Sequence, residues 1–315
     1  MKRLFKIIVS LAIVALAVVT AGSFYMLDYA FSPLKRTRAE ALDRLSEICP
    51  TVMPWADSII ACNALHDTTI VLDDGTRRHA YYMAADSATT RTAVIVHGYK
   101  NAAFMMLQIG YLYHHDLGYN ILLPELQAHG ESDGESIGMG WNERFEVLRW
   151  IAVADSMFSC SSASTQMVLH GISMGGATVM NVSGEKLPPC VKAIVEDCGY
   201  SSAWDELAHQ LNAQFGLPAF PLMHTTSALC RVKYGWWIGD CMPVAQVKKA
   251  TVPMLFIHGD NDDFVPTAMV HEVYAAHPGP KQLWIAPGST HAKSYTDHPT
   301  QYTQQVHTFL TPYIK

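Results

Sequence analysis

The chain is short of charge. Only 16% of its 315 residues are Asp, Glu, Lys or Arg, half are hydrophobic, and the formal net charge is −6. That balance excludes a disordered polar chain, which buries too little apolar surface to offset its ordering entropy. With no basic stripe beyond the N-terminal region, it also argues against nucleic acid as a partner. C-x-x-C pairs are missing. The seven cysteines (Cys49, Cys62, Cys160, Cys190, Cys198, Cys230, Cys241) are scattered, which disfavours a zinc ribbon or a thioredoxin-like motif. Their number is odd, so they cannot all pair within the chain. Cys49 with Cys62, or Cys230 with Cys241, are pairings open to an oxidising compartment; the alternative is buried thiols acting as small hydrophobes. Internal repeats and low-complexity tracts are absent too, which excludes a solenoid.

One feature is present in excess: a long uncharged run. Lys2, Arg3 and Lys6 precede Ile7–Leu27, and Asp28 ends it. As a helix this run spans roughly 31 Å at about 1.5 Å per residue, close to a hydrocarbon core of about 30 Å. A retained anchor competes with a cleaved signal peptide, for which Val19 and Ala21 supply small residues. The run continues through Phe24, Tyr25, Met26 and Leu27, which favours the anchor over a secreted or periplasmic product. A short basic N-terminus is expected to stay inside, placing the bulk of the chain outside the cytoplasm. Lys35, Arg36 and Arg38 on the far side weigh against that orientation.

The chain therefore divides into residues 1–31, a membrane segment; 32–65, a linker and helical lead-in broken by Pro50 and Pro54; and 66–315, one large domain. "TTIVLDDGTRRHAYYMAA" reads as a hairpin about Asp74-Gly75. After it, strand and helix alternate. "TAVIVHG", "YNILLPEL", "TQMVLHG", "VKAIVEDCG", "VPMLFIHGD" and "KQLWIAPG" are apolar strands. "NAAFMMLQIGYLYHH", "WNERFEVLRWIAVADSMF", "MGGATVMNVSG" and "TQYTQQVHTFLTPYI" have helical spacing, with Trp141, Phe145, Leu148 and Ile151 on related faces of the second. The pattern implies an α/β class, a mostly parallel sheet covered on both faces with an antiparallel hairpin at one edge. The alternation breaks at about 200–249, an aromatic helical insertion expected to cap the C-terminal edge of the sheet.

In "VLHGISMGGA", Ser173 sits between glycines, directly after a strand and directly before a helix. A strand-to-helix turn this tight needs Gly171 and Gly175, and it lifts a serine hydroxyl above the strand ends as a nucleophile. A hydroxyl needs a base, and the base needs an orienting acid. "FIHGDNDDFVP" ends a later strand and offers Asp262 in preference to Asp260, which is closer to the strand and suits a turn. "IAPGSTHAKSY" ends the next and offers His291. Asp197, in "VEDCGY", is the rival acid. Backbone donors for an oxyanion are expected from Met174, next to the nucleophile, and from Tyr99 in "HGY" after the first parallel strand. His170 and His258 are read as packing or supporting groups, and His129-Gly130 as a turn with Ser132 or Asp133 near a helix start. No metal or organic cofactor is needed.

At "AVIVHGY", "GYNILLPELQAHGESDG", "MGWNERFEVLRWI", "HGISMGGA", "LFIHGDNDDFVP" and "PGSTHAKSY" the chain resembles the α/β-hydrolase superfamily. It looks closest to membrane-anchored bacterial serine hydrolases of the aminopeptidase-like and acyl-transferase-like group. The resemblance implies the α/β-hydrolase fold, with Ser173, Asp262 and His291 as nucleophile, acid and base and with Tyr99 and Met174 as oxyanion donors. "AHGES" replaces the Arg-Gly-His-Gly of many members, and Lys100 is an addition that many lack, so a substrate is not carried over. A small acyl ester is the expected substrate. A peptidase would need an acidic site for an amino terminus, for which only Asp205, Glu206 and Asp240 are available. A silent binding protein that keeps the fold is the remaining class.

Overall fold

The computed structural model describes residues 1–160 and 163–315. In chain order, helix α1 (Lys2–Phe31) is followed by α2 (Arg38–Ile48), α3 (Met53–Ala61) and the strands β1 (His66–Val71), β2 (Arg77–Met83) and β3 (Arg91–Val96). A short helix α4 (Leu107–Gly110), flanked by a 3₁₀ turn and a π turn, leads to β4 (Asn120–Pro124). Then come α5 (Glu143–Phe158), β5 (Gln166–Ile172), α6 (Met174–Ser183), β6 (Val191–Asp197), α7 (Ala203–Phe215), α8 (Leu222–Tyr234) and α9 (Pro243–Val247). The chain closes with β7 (Met254–Gly259), α10 (Ala268–Ala276), β8 (Lys281–Ala286), α11 (Ser294–Asp297) and α12 (Pro299–Leu310). These elements form two compact units: Met1–Ser32 with Ser202–Cys241, and Pro33–Ser201 with Met242–Lys315.

The larger unit is built on one eight-stranded sheet in the order β1-β2-β4-β3-β5-β6-β7-β8. β1 pairs with β2, and β2 with β4, antiparallel; every other pairing is parallel. Asp74-Gly75 turns the hairpin, with Gly75 at φ +83°. Ala93–Val96, Ile121, Leu122, Val168, Leu169, Ala193–Val195 and Met254–Ile257 are buried, as expected of parallel strands covered on both faces. The sheet order reverses at β3, which has β4 on one side and β5 on the other. A crevice opens beyond the C-terminal ends of two strands that diverge in this way. The turns leaving β3 and β5, at His97-Gly98 and Ser173, lie at that reversal.

Local packing departs from the periodicity in two places. On α5 the buried face carries Glu143, Glu146, Val147, Trp150, Ile151 and Ala154, while Phe145 is exposed. Two polar attachments turn the helix: Glu146 accepts from Arg78 Nε at 2.6 Å, and Glu143 accepts from the Gly138 N–H at 2.6 Å. Ser132 and Asp133 do not open a helix, because α5 begins only at Glu143. Instead they pin their loop to β2: Ser132 Oγ accepts the His79 N–H and donates to the Glu125 carbonyl, and Asp133 accepts the Arg77 N–H. All seven cysteines are free thiols, five of them buried, so neither candidate disulfide forms.

The smaller unit joins α1 to the insertion, two segments that the sequence reading treats separately. α1 is exposed from Met1 to Val18, and only Ser23, Leu27 and Phe31 are buried. That spacing of four residues forms a stripe along the last three turns, and α8 packs in parallel beside it. The ideal Cβ of Gly22 would lie 3.1 Å from Leu222, Ser23 Oγ is 2.5 Å from Thr225 Oγ1, and Phe31 meets Tyr234 and Trp236 edge to face. α7 adds Phe215 against Tyr25 and Tyr29, and Tyr29 donates to Gln214 at 2.6 Å.

Candidate active site

Ser173 takes the one residue between β5 and α6, with φ 59° and ψ −121°. A side chain in that region costs about 1–3 kcal/mol, so the surroundings must enforce it. They do so through close backbone contacts. A Cβ on Gly171 would stand 2.0 Å from the Gly175 carbonyl oxygen, and one on Gly175 would stand 2.1 Å from that of Val96. Only glycine fits at either place. The Ser173 N–H donates to the Asp197 carbonyl at 2.8 Å, and the Ser173 carbonyl accepts the Ala177 N–H at 2.9 Å. The turn is therefore tied to β6 on one side and to its own helix on the other.

Three side chains from distant parts of the chain meet above this turn. Ser173 Oγ is 2.8 Å from His291 Nε2, and His291 Nδ1 is 2.8 Å from Asp262 Oδ2. Asp262 is buried, whereas the His291 side chain keeps a fifth of its surface open to solvent. Burial pushes the Asp262 carboxyl up, but hydrogen bonds and charge from His258 and His291 outweigh it and bring the group down to about 2. Its second oxygen accepts the N–H groups of Phe264 and Val265, both at 3.0 Å. Asp262 is then ionised near neutral pH, and His291 carries its proton on Nδ1. Nε2 is left as the acceptor facing the serine hydroxyl. Phe264 flanks the imidazole, ring centroids 4.8 Å apart.

His258 has a specific place in this arrangement. Its Nε2 lies 2.9 Å from the Val265 carbonyl and 3.2 Å from Asp262 Oδ2, with both side chains fully buried. One N–H thus serves the loop and the carboxylate together. Asp197, the rival acid, is turned elsewhere. It accepts from Tyr302 at 3.0 Å and from Ser294 at 3.5 Å, and burial pushes it up to about 6 despite the tyrosine hydrogen bond. Behind it a buried chain runs from Tyr113 through both nitrogens of His170 to Tyr302. Burial holds His170 down to about 3, so this histidine is a neutral relay of hydrogen bonds.

The loop after β3 lies against Ser173: an ideal Cβ on Gly98 would be 3.3 Å from Ser173 Cβ and 3.7 Å from its Oγ. Two neutral histidines hold this loop. His97 Nδ1 donates to its neighbour's carbonyl and Nε2 accepts the Leu126 N–H; His129 Nδ1 donates to the Gln127 carbonyl and Nε2 accepts the Lys100 N–H. Burial keeps both pKa values low, His129 at about 3, so neither ring is charged near neutral pH. Tyr99 lies between the two fixed ends, and Met174 is the first residue of α6. Gly98→Ala places a methyl 3.2 Å from the Ile172 carbonyl and 3.3 Å from Ser173 Cβ. Displacing reacting atoms by about 1 Å costs on the order of 10²-fold. The variant is expected to lose about ten- to a hundredfold in kcat/KM with its melting temperature nearly unchanged, as ester kinetics and thermal melts will register.

Among the described residues, one trio of metal-capable side chains converges. Cys198, Asp262 and His291 have ligand atoms within 4.8 Å of one another. Both nitrogens of His291 are already engaged, and burial raises the Cys198 thiol well above its ordinary range, which disfavours the thiolate a metal would need. The trio fits a hydrogen-bonded relay better than a metal centre.

An eight-stranded, mostly parallel sheet with a strand–serine–helix turn at its order reversal is the α/β-hydrolase fold, and the chain has it. No family model matches the chain. It is similar to the uncharacterized protein YqkD of Bacillus subtilis (28% identity over 73% of this chain and 74% of YqkD). It is also similar to YNL320W of Saccharomyces cerevisiae, named an uncharacterized membrane protein (20% identity over 71% and 72%). Among solved structures, the esterase Pf2001 of Pyrococcus furiosus superposes with a TM-score of 0.63 at 18% identity, over 80% of this chain and 92% of that one.

Proposed function

We infer that the chain is a serine hydrolase that cleaves an acyl ester through an acyl-enzyme on Ser173, tethered to a membrane by α1. One observation carries the reading: His291 joins the serine hydroxyl to the Asp262 carboxylate with two contacts of 2.8 Å. Ser173 Oγ attacks the ester carbonyl while Nε2 of His291 takes its proton. The developing oxyanion turns toward the N–H groups of Met174 and Tyr99. Imidazolium then protonates the leaving alcohol. Water, deprotonated by the same nitrogen, releases the acid and restores the serine. Asp262 keeps the proton on Nδ1 throughout and stabilises the imidazolium.

An ester is favoured over a peptide because two of the insertion's three acidic residues are occupied within it, which leaves the exposed Asp205 and no acidic cluster for an amino terminus. Glu206 is buried and accepts from Gln210, and Asp240 accepts the Trp237 N–H. The similarity to Pf2001 supports a hydrolase. The uncharged span of α1 and the name given to the yeast relative support the tether. Lys2, Arg3 and Lys6 before the span favour an N-terminus inside and a catalytic unit outside the cytoplasm, with Lys35, Arg36 and Arg38 after it weighing the other way. A fluorophosphonate probe tests the core of the reading. Labelling is expected at Ser173 and is expected to vanish in Ser173→Ala. Folded protein that takes no label would return the chain to the silent class. p-Nitrophenyl esters of increasing acyl length, run beside an aminoacyl amide, are expected to be turned over at least tenfold faster than the amide, since esters are the proposed class.

A further inference from the structure

We propose that the α7–α8 turn, residues 216–221, is a second membrane contact, seated in the lipid of the same leaflet from which α1 emerges. The proposal rests on α1 being a retained anchor. It is carried by the packing within the smaller unit. α8 runs parallel to the last three turns of α1 and in step with it, from Leu222 beside Gly22 to Tyr234 beside Phe31. The uncharged run of α1 ends at Leu27, so Gly22 lies five residues inside it. At about 1.5 Å per residue, that puts the start of α8 about 7–8 Å below the water-side end of the run. The turn enters Leu222 from Phe215, which packs against Tyr25 and Tyr29, so it descends from the water-side end of the run to the level of Gly22.

The chemistry of the turn matches that position. No Asp, Glu, Lys or Arg occurs between Glu206 and Arg231, a stretch of 24 residues. Within it Phe220 is 72% exposed, and Pro218 is exposed as well. An aqueous turn has no use for these side chains on its tip, whereas an interfacial one buries them in acyl chain and headgroup boundary. Charge returns at the opposite end of α8. Arg231 and Lys233 lie near the level of Asp28 and Phe31, where headgroups are expected, and exposed Trp237 follows them. Apolar tip, cationic rim and aromatic boundary are thus layered along α8 in the same order as along α1.

Nitroxide labelling of the full-length chain in phosphatidylcholine vesicles tests this. In a Cys62→Ser, Cys160→Ser background, single labels are placed at Phe220→Cys, at Val14→Cys within α1 and at Asp57→Cys on the exposed surface of α3. The relaxation of each label by oxygen, which partitions into lipid, is compared with relaxation by a water-soluble nickel chelate. At Phe220→Cys the oxygen-to-nickel ratio is expected to rise above the Asp57→Cys value and approach that of Val14→Cys. A water-like ratio at residue 220 with a lipid-like ratio at residue 14 overturns the proposal and leaves the anchor standing. A water-like ratio at both overturns the anchor and the proposal together. A short label-to-label distance between copies at residue 220, with nickel excluded and oxygen not enriched, assigns the turn to a second copy of the chain and also overturns it.

Discussion

Ser173→Ala is expected to lower ester turnover by a factor on the order of 10⁴–10⁶ while leaving the fold intact. The size of the loss follows from what remains. Without the hydroxyl no acyl-enzyme forms, and water has to attack in its place. The loop after β3 and the N-terminus of α6 are unchanged, so their share of transition-state stabilisation persists and bounds the loss. The packing cost is small because the change removes one oxygen whose partner, His291 Nε2, sits on a ring that is partly open to solvent. Alanine keeps the strained backbone at φ 59°, so the variant does not relax the turn. Ser173→Gly does. It is expected to be as inactive as alanine but more stable by about 1 kcal/mol, the strain released less the entropy glycine adds to the unfolded chain. Single-turnover assays and urea titrations of both variants separate the chemical role of the side chain from the conformational one. Activity within tenfold of the parent in Ser173→Ala would remove the nucleophile from the mechanism.

The order of strands and the place of the turns were legible because each carries a local signal. Apolar strands alternating with helices imply a parallel sheet, and a serine between glycines at a strand end implies the elbow. Asp262 and His291 were legible for the same reason, each lying in a loop directly after a late strand. What escaped is long-range. His258 bonds Asp262 because the Asn261–Val265 loop doubles back over the end of β7, and nothing in a strand-end histidine announces that. Tyr113, His170, Asp197 and Tyr302 join through side-chain hydrogen bonds between positions scattered across nearly 190 residues, at which a tyrosine or histidine reads as ordinary core. The inward turn of Glu146 depended on Arg78, some 68 positions away. The packing of α1 on α8 was hidden for a further reason: hydropathy marks α1 as a membrane segment without regard to its faces. The stripe of Ser23, Leu27 and Phe31 becomes meaningful only once a partner helix is known.

Asp262→Asn is expected to cost about 10⁴ in kcat, nearly as much as losing the nucleophile, although the residue touches no substrate. The hydrogen bonds of the carboxylate dictate how an amide would settle. One oxygen accepts two backbone N–H groups, from Phe264 and Val265, and an amide can satisfy both only with its carbonyl there. Its NH₂ must then occupy the place of Oδ2, facing His291 Nδ1 and His258 Nε2. An N–H pointed at Nδ1 turns that nitrogen into an acceptor and moves the ring proton to Nε2, where it blocks transfer from Ser173. Stability supplies an independent reading of the same change. With its folded pKa at about 2, below the ordinary 3.8, Asp262 contributes stability that is fully present above about pH 4. This contribution is lost as the pH falls through 2, because protonation then removes what His258 and His291 stabilise. The difference corresponds to about 2 kcal/mol. Urea midpoints between pH 5 and pH 2 are expected to fall less steeply in Asp262→Asn than in the parent, whereas Ser173→Ala should follow the parent curve. A variant that loses activity while keeping the parental acid profile would show that residue 262 orients His291 without carrying the charge assigned to it.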